Sequence, residues 1–70
     1  MSSTMDITLN GDRTSVPSPA TLEELLGHLG LDPRMVVVEH NRAIVRRAHL
    51  AETPLAEGDF VELVHFVGGG

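Results

Sequence analysis

The sequence has 70 residues, no cysteine and a formal net charge of −5, from ten acidic residues against five arginines. A chain of this length forms a single domain with a thin core, and without cysteine it has no disulfide, thiolate metal site or nucleophilic thiol. The negative charge opposes binding to nucleic acid or anionic lipid, and no apolar run approaches the roughly 20 residues that span a bilayer.

The N-terminal segment predicts a β-hairpin. Residues Met1–Thr4 are small, polar and without pattern, so we expect them to be disordered. From Met5 to Leu9 apolar and polar residues alternate, as in a strand with one buried face. Asn10-Gly11 is typical of a type I′ turn, whose central positions both need positive φ. A return strand over Arg13–Val16 should follow, ended by Pro17.

A helix is predicted next. Thr21 and Glu24 have the spacing of a capping box, in which each side chain accepts a hydrogen bond from the other residue's backbone N–H. Gly30 suits the left-handed position that ends a helix. One apolar stripe faces the core and consists of leucines spaced i, i+3, i+4 and i+7, namely Leu22, Leu25, Leu26 and Leu29.

The segment Met35–His40 predicts a strand with two distinct faces. Val36 and Val38 share one face, while Val37 and Glu39 share the other, wetter one. Asn41-Arg42 predicts a turn into a short strand at 43–45. Residues 46–54 should be irregular or form one helical turn, with Leu50 and Leu55 as core anchors in this part of the chain.

The closing strand, Phe60–Val67, is rich in β-branched and aromatic residues. If Val61 and Leu63 point to the core, alternate residues point the other way. An apolar patch is then expected on the open face of the sheet, and such patches often mark protein partners. Its members are Val37, Val64 and Phe66, and Phe66 is the strongest non-glycine candidate for partner binding.

Together these elements predict an α+β domain, with one main helix on one face of a mixed sheet of four to five strands. The first and last strands are expected to be parallel neighbours at its centre. The domain should cover residues 1–67, and Gly68–Gly70 should form a flexible tail with a free carboxylate. An expression remnant or a frayed end is the plain alternative for this tail.

Catalytic chemistry has little support in the sequence. The histidines His28, His40, His49 and His65 lack metal-ligand spacing, and no nucleophile lies at a recognisable distance from a base. We therefore expect a carrier or substrate protein and not an enzyme, with no bound metal or cofactor. A plain interaction domain with an inert tail remains an alternative.

The whole pattern resembles the ThiS family of sulfur carrier proteins from thiamine biosynthesis, which are ubiquitin-like in fold. The matching features are the Asn10-Gly11 hairpin, the helix ending in Gly30-Leu31, Val-Val-Val-Glu-His-Asn at 36–41, Ala-Glu-Thr at 51–53, Gly58-Asp59 and the closing Val-His-Phe-Val-Gly-Gly-Gly. The closing block is the most specific. The resemblance implies a β-grasp fold, in which the last strand lies between the first and the third.

The resemblance also implies a function for the tail. A ThiF-like adenylyltransferase would use ATP to activate the carboxylate of Gly70, and a sulfur donor such as a cysteine desulfurase would convert it to a thiocarboxylate. ThiG thiazole synthase would then take the sulfur, in the cytoplasm. Gly68 and Gly69 would let the terminus enter a narrow enzyme channel, because glycine lacks a Cβ.

Two related functions use the same terminal glycine. One is the small subunit of molybdopterin synthase, and the other is a ubiquitin-like protein modifier. The absence of lysine disfavours modifier chains on this protein but not single attachment to a target.

This sequence departs from the family at Asn41-Arg42, where Asn-Gly is common, so we expect a second turn that is more strained or of another type.

Overall fold

One helix and five strands follow each other in the order that the sequence predicts. The computed structural model describes residues 3–66. Its elements are β1 Thr4–Leu9, β2 Asp12–Pro17, α1 Leu22–Leu29, β3 Val36–His40, β4 Ala43–Val45 and β5 Phe60–His65, with 3-10 segments at Pro33–Met35 and Arg47–Glu52. The α+β class is confirmed.

The strands form one mixed sheet with the order β2-β1-β5-β3-β4. β1 and β5 are parallel, and the other neighbours are antiparallel. The expected parallel pairing of the first and last strands at the centre is therefore confirmed, as is the β-grasp position of β5 between β1 and β3. The closing strand thus has a neighbour on each side.

Both hairpins turn through left-handed backbone. Asn10 and Gly11 have φ of 50° and 86°, as a type I′ turn requires. Asn41 and Arg42 have φ of 50° and 72°, so the second turn has the same positive-φ character without glycine. A left-handed residue with a Cβ costs about 1–2 kcal/mol, so the turn at Arg42 is the strained one, as expected.

The helix begins and ends as predicted. The Thr21 hydroxyl accepts a hydrogen bond from Glu24 N–H, and the Glu24 carboxylate accepts one from Thr21 N–H, at 3.2 and 2.8 Å. Gly30 ends the helix with φ of 73°. The core between helix and sheet is formed by Met5, Ile7, Val16, Leu22, Leu25, Leu26, Val36, Val38, Leu50, Leu55 and Val61. Both predicted anchors, Leu50 and Leu55, belong to it.

Several predicted strand boundaries are wrong by one or two residues. β2 covers Asp12–Pro17 instead of Arg13–Val16, so Pro17 lies inside the strand that it was predicted to end. β5 ends at His65, whereas the predicted strand continues through Phe66. Thr4 was expected to be disordered but opens β1 opposite Pro17, because backbone pairing needs no apolar side chain. Met35 was assigned to a strand but ends a 3-10 segment that begins at Pro33. Asp32 caps that segment by accepting a hydrogen bond from Arg34 N–H at 2.9 Å. Residues 1–2 and 67–70, with the predicted N-terminal disorder and glycine tail, lie outside the described residues.

Candidate functional site

The closing strand β5 positions the candidate site. Val61 is fully buried and Leu63 is half-buried, so these two residues face the helix as predicted. Strand alternation places Phe60, Glu62 and Val64 on the opposite face. The helix covers only one side of the sheet, so this second face is open.

Three predicted partner-binding residues lie together on the open face. Val37 of β3 is directly opposite Val64 of β5, and the side chain of Phe66 follows on the same face. Their exposed fractions are 39%, 59% and 44%. The Phe66 N–H donates to the Met35 carbonyl at 3.0 Å, so pairing with the β3 side of the sheet continues to the last described residue. We call Val37, Val64 and Phe66 the sheet patch; it adjoins the start of the tail.

Sequence reasoning did not find the full apolar face. Ile44 of β4 is 68% exposed and lies opposite Glu39, and Phe60 is 57% exposed at the start of β5. Alternation alone placed Phe60 on this face. Ile44 gave no such signal, because the register of a three-residue edge strand follows from the turn geometry and not from its own pattern.

A polar cluster joins the start of β5 to the β3–β4 turn through hydrogen bonds. Asn41 Oδ1 accepts from Phe60 N–H at 2.9 Å, and Asn41 N–H donates to the Phe60 carbonyl at 2.8 Å. Asp59 lies 2.7 Å from His40 Nε2 and accepts a 2.9 Å hydrogen bond from Ala56 N–H. These contacts hold the left-handed turn in place and set the register of the strand that leads to the tail.

This polar cluster lowers the pKa of the Asp59 carboxyl. Partial burial would raise its pKa, but the hydrogen bonds from His40, Ala56 N–H and Asn41, with the charge of His40, outweigh that effect and lower the pKa. A carboxyl whose pKa is lower in the folded state stabilises the fold above its unfolded pKa of about 3.9. This stabilisation is lost as the pH falls through the folded pKa.

We therefore expect Asp59→Asn to lower the free energy of unfolding by about 1–3 kcal/mol at pH 7, the range for a hydrogen-bonded charged group. The difference from the parent protein should shrink as the pH falls below about 4. Urea unfolding at a series of pH values measures this difference. Asp12→Asn, at an exposed carboxylate, is the matched control. A constant difference down to pH 2 would contradict the role of the Asp59 charge.

The first hairpin fastens β5 from its other side. Asn10 Oδ1 accepts a hydrogen bond from Leu63 N–H at 2.8 Å, and Asn10 N–H donates to the Val61 carbonyl at 2.9 Å. Strand pairing between β1 and β5 covers Thr8 with Phe60 and Leu9 with Val61. The asparagine thus adds two hydrogen bonds to a short parallel ladder, so both hairpin turns set the position of the closing strand.

The described residues offer no assembled metal centre. Among residues 3–66, no three histidine or acidic side chains converge as metal ligands. His28 lies exposed in the last turn of the helix, and His65 lies exposed at the end of β5. No helix within this range is long and apolar enough to cross a membrane. The chemistry expected of Gly68–Gly70 falls outside the described residues.

The sequence matches the model of the ThiS family over residues 4–70. It is 41% identical over 66 residues to a thiazole synthase from Paramagnetospirillum magneticum, a match that covers 94% of this chain and 20% of that protein. It is 40% identical over 50 residues to the sulfur carrier protein ThiS from Bacillus subtilis, a match that covers 71% of this chain and 76% of the relative. The chain thus spans about a fifth of the length of the thiazole synthase.

The fold is also similar to a solved structure. The crystal structure of the thiamine biosynthesis protein ThiS from Geobacter metallireducens superimposes with a TM-score of 0.80 at 33% sequence identity. The match covers 94% of this chain and all of that chain.

Proposed function

We infer that this chain, which belongs to the ThiS family, is a sulfur carrier for thiamine biosynthesis and not itself a catalyst. The family match supports this most directly, because it extends over residues 4–70 and so includes the three closing glycines. The exposed sheet patch next to the start of the tail adds a surface through which enzymes would hold the carrier. Gly70 is the residue that we propose to bear the sulfur.

The proposed chemistry has two steps. A Gly70 carboxylate oxygen attacks the α-phosphate of ATP, which releases pyrophosphate and forms an acyl adenylate. Sulfur at the oxidation level of sulfide then attacks the acyl carbon, which releases AMP and leaves a thiocarboxylate. The carrier supplies the acyl group, while a ThiF-like adenylyltransferase supplies the ATP site. A donor such as a cysteine desulfurase supplies the sulfur as a persulfide, from which a thiol reductant releases it at the sulfide level with two electrons. A reaction that consumes ATP supports a cytoplasmic location for the carrier.

The tail suits this chemistry for a physical reason. Three extended residues reach about 10 Å beyond the domain. Because Gly68, Gly69 and Gly70 lack side chains, they fit a narrow channel that leads to ATP. Ordering each residue costs roughly 1–2 kcal/mol, so the tail adds little net affinity. Affinity for the partner enzymes must therefore come from the folded domain, and we assign it to the sheet patch.

A ThiG-like thiazole synthase is the proposed acceptor. In the thiazole synthase from P. magneticum, the segment similar to this chain makes up 20% of the polypeptide. Carrier-like and synthase sequence therefore occur together in that protein, which supports delivery of sulfur from this chain to a synthase of the same type. Nucleic acid and anionic membranes are unsuitable partners for a chain with a net charge of −5.

Intact mass spectrometry tests this function directly. The protein ending at Gly70 is incubated with ATP, the adenylating enzyme and a sulfur source, beside a control carrier that the same enzymes load. We expect a mass gain equal to the replacement of one oxygen by sulfur, mapped to Gly70 by fragmentation. If the control is loaded and this chain is not, the sulfur-carrier function is wrong, and a protein modifier or a plain interaction domain becomes the better description.

A further inference from the structure

Two carboxylates lie directly opposite each other on the open face of the sheet. Glu39 of β3 pairs in register with Glu62 of β5. Side chains at such positions share one face, with Cβ atoms about 4.5–5.5 Å apart, and like charges there destabilise the sheet. Within residues 3–66 the ion pairs are Arg13–Asp6, Arg34–Asp32 and His40–Asp59, so neither glutamate has a cationic partner in the described part of the chain.

Most of the cross-strand neighbours of this acidic pair are apolar. The next cross-strand pair toward the tail is Val37–Val64, and Ile44 lies opposite Glu39 on β4. Phe60 lies two residues before Glu62 on the same face and is 57% exposed. The two charges therefore have apolar neighbours toward the tail and toward β4, while Thr8, opposite Phe60, and Arg13, opposite Thr8, continue the open face as polar residues on the β1 side.

This placement restricts the partner. A protein that covered the face with apolar side chains alone would strip water from two unpaired carboxylates, at a cost larger than the apolar contact returns. A basic side chain at the same point removes that cost. Arginine fits best because its planar guanidinium bonds two carboxylate oxygens at once, is weakly hydrated and stacks on an aromatic ring such as that of Phe60.

Resting on the sulfur-carrier function, we propose that Glu39 and Glu62 together bind an arginine on the docking surface of the adenylating enzyme. That enzyme must bring a carboxylate and ATP together, both anionic, so it needs a cationic environment next to the carrier. The chain's net charge of −5 complements such a surface. Repulsion between the two glutamates in the free carrier is relieved when the arginine enters.

Loss of the two glutamate charges should leave the fold at least as stable but weaken docking. The double substitution Glu39→Gln/Glu62→Gln removes the repulsion, so its melting temperature should equal or exceed that of the parent. Its dissociation constant for the adenylating enzyme, measured without ATP by calorimetry, should rise at least tenfold. The salt dependence of the dissociation constant should also flatten, because two of the steering charges are gone.

The matched control is Glu23→Gln/Glu52→Gln. This control also removes two negative charges, but from exposed positions in the helix and in the second 3-10 segment. We expect its dissociation constant to stay within about twofold of the parent value, since scattered surface charges contribute little to affinity.

Several outcomes would overturn the proposal. These are unchanged docking of the Glu39/Glu62 variant, equal weakening by the control pair, a clear loss of stability, or weakened binding to the thiazole synthase alone. Sulfur loading of the parent at Gly70 is measured separately by intact mass. Normal loading together with any of these outcomes rejects the arginine contact and leaves the sulfur-carrier function standing; a parent that docks but is never loaded rejects the function itself.

Discussion

Deletion of Gly70 is expected to abolish sulfur loading, by a factor on the order of 10² or more, while the domain stays folded. Removing one extended residue shortens the tail, so the terminal carboxylate stops about 3.5 Å short of the position that it reaches in the parent protein. A displacement of even 1 Å at a reacting centre costs on the order of 10²-fold in rate. Loading is followed by intact mass, and adenylation by pyrophosphate release.

The control for this deletion removes Met1 and Ser2 from the other end of the chain. Among the described residues the core begins at Met5, and we expect loading and melting temperature to match those of the parent. Adenylation of the chain that ends at Gly69 would contradict the assignment of the reacting group to Gly70. A large drop in melting temperature on deleting Gly70 would show instead that the tail has a structural role.

Phe66→Asp is expected to weaken docking to the adenylating enzyme by about 30-fold or more. Buried aromatic residues at interfaces contribute 2 kcal/mol or more when truncated, and 1.4 kcal/mol corresponds to a factor of ten. The new carboxylate would also be buried without a partner against the sheet patch. Because Phe66 is 44% exposed and outside the core, the free energy of unfolding should fall by about 1 kcal/mol or less.

Ala48→Asp is the matched control for this substitution. Ala48 is exposed in the 3-10 segment Arg47–Glu52, which packs beside the helix and away from the open face of the sheet. The Ala48→Asp substitution adds the same negative charge as Phe66→Asp, so it separates an effect on the sheet patch from an effect of net charge. Unchanged docking of Phe66→Asp would show that the enzymes do not use the sheet patch, and a large loss of stability would show that Phe66 supports the core.

Local features of the fold could be predicted because each depends on a few neighbouring residues. The Thr21–Glu24 capping box satisfies backbone N–H groups within one turn, and Asn10-Gly11 satisfies the positive φ of its own hairpin. Both are present as predicted. The boundary errors, such as those at Thr4 and Met35, also have local causes, since strand ends depend on backbone pairing and not on side-chain pattern.

Contacts between residues far apart in the sequence could not be predicted from the sequence pattern. Asn41 and Phe60 exchange hydrogen bonds across 19 positions, and Asn10 binds Leu63 N–H across 53 positions. A polar residue in a turn indicates a turn, but its side-chain partner follows only from which strand lies beside it. The strain at Arg42 could be expected, whereas the asparagine contacts that hold this turn could not.

The sequence by itself determined the α+β class, the core faces of β1, β3 and β5, and the exposed sides of Val64 and Phe66, because alternation and turn chemistry are local and a buried face forces the register. Only the tertiary structure decided which residues meet on the open face. The β3–β5 register places Glu39 opposite Glu62, and the β3–β4 register places Ile44 beside them. These neighbours come from different strands, so their juxtaposition exists only once the closing strand has entered the centre of the sheet.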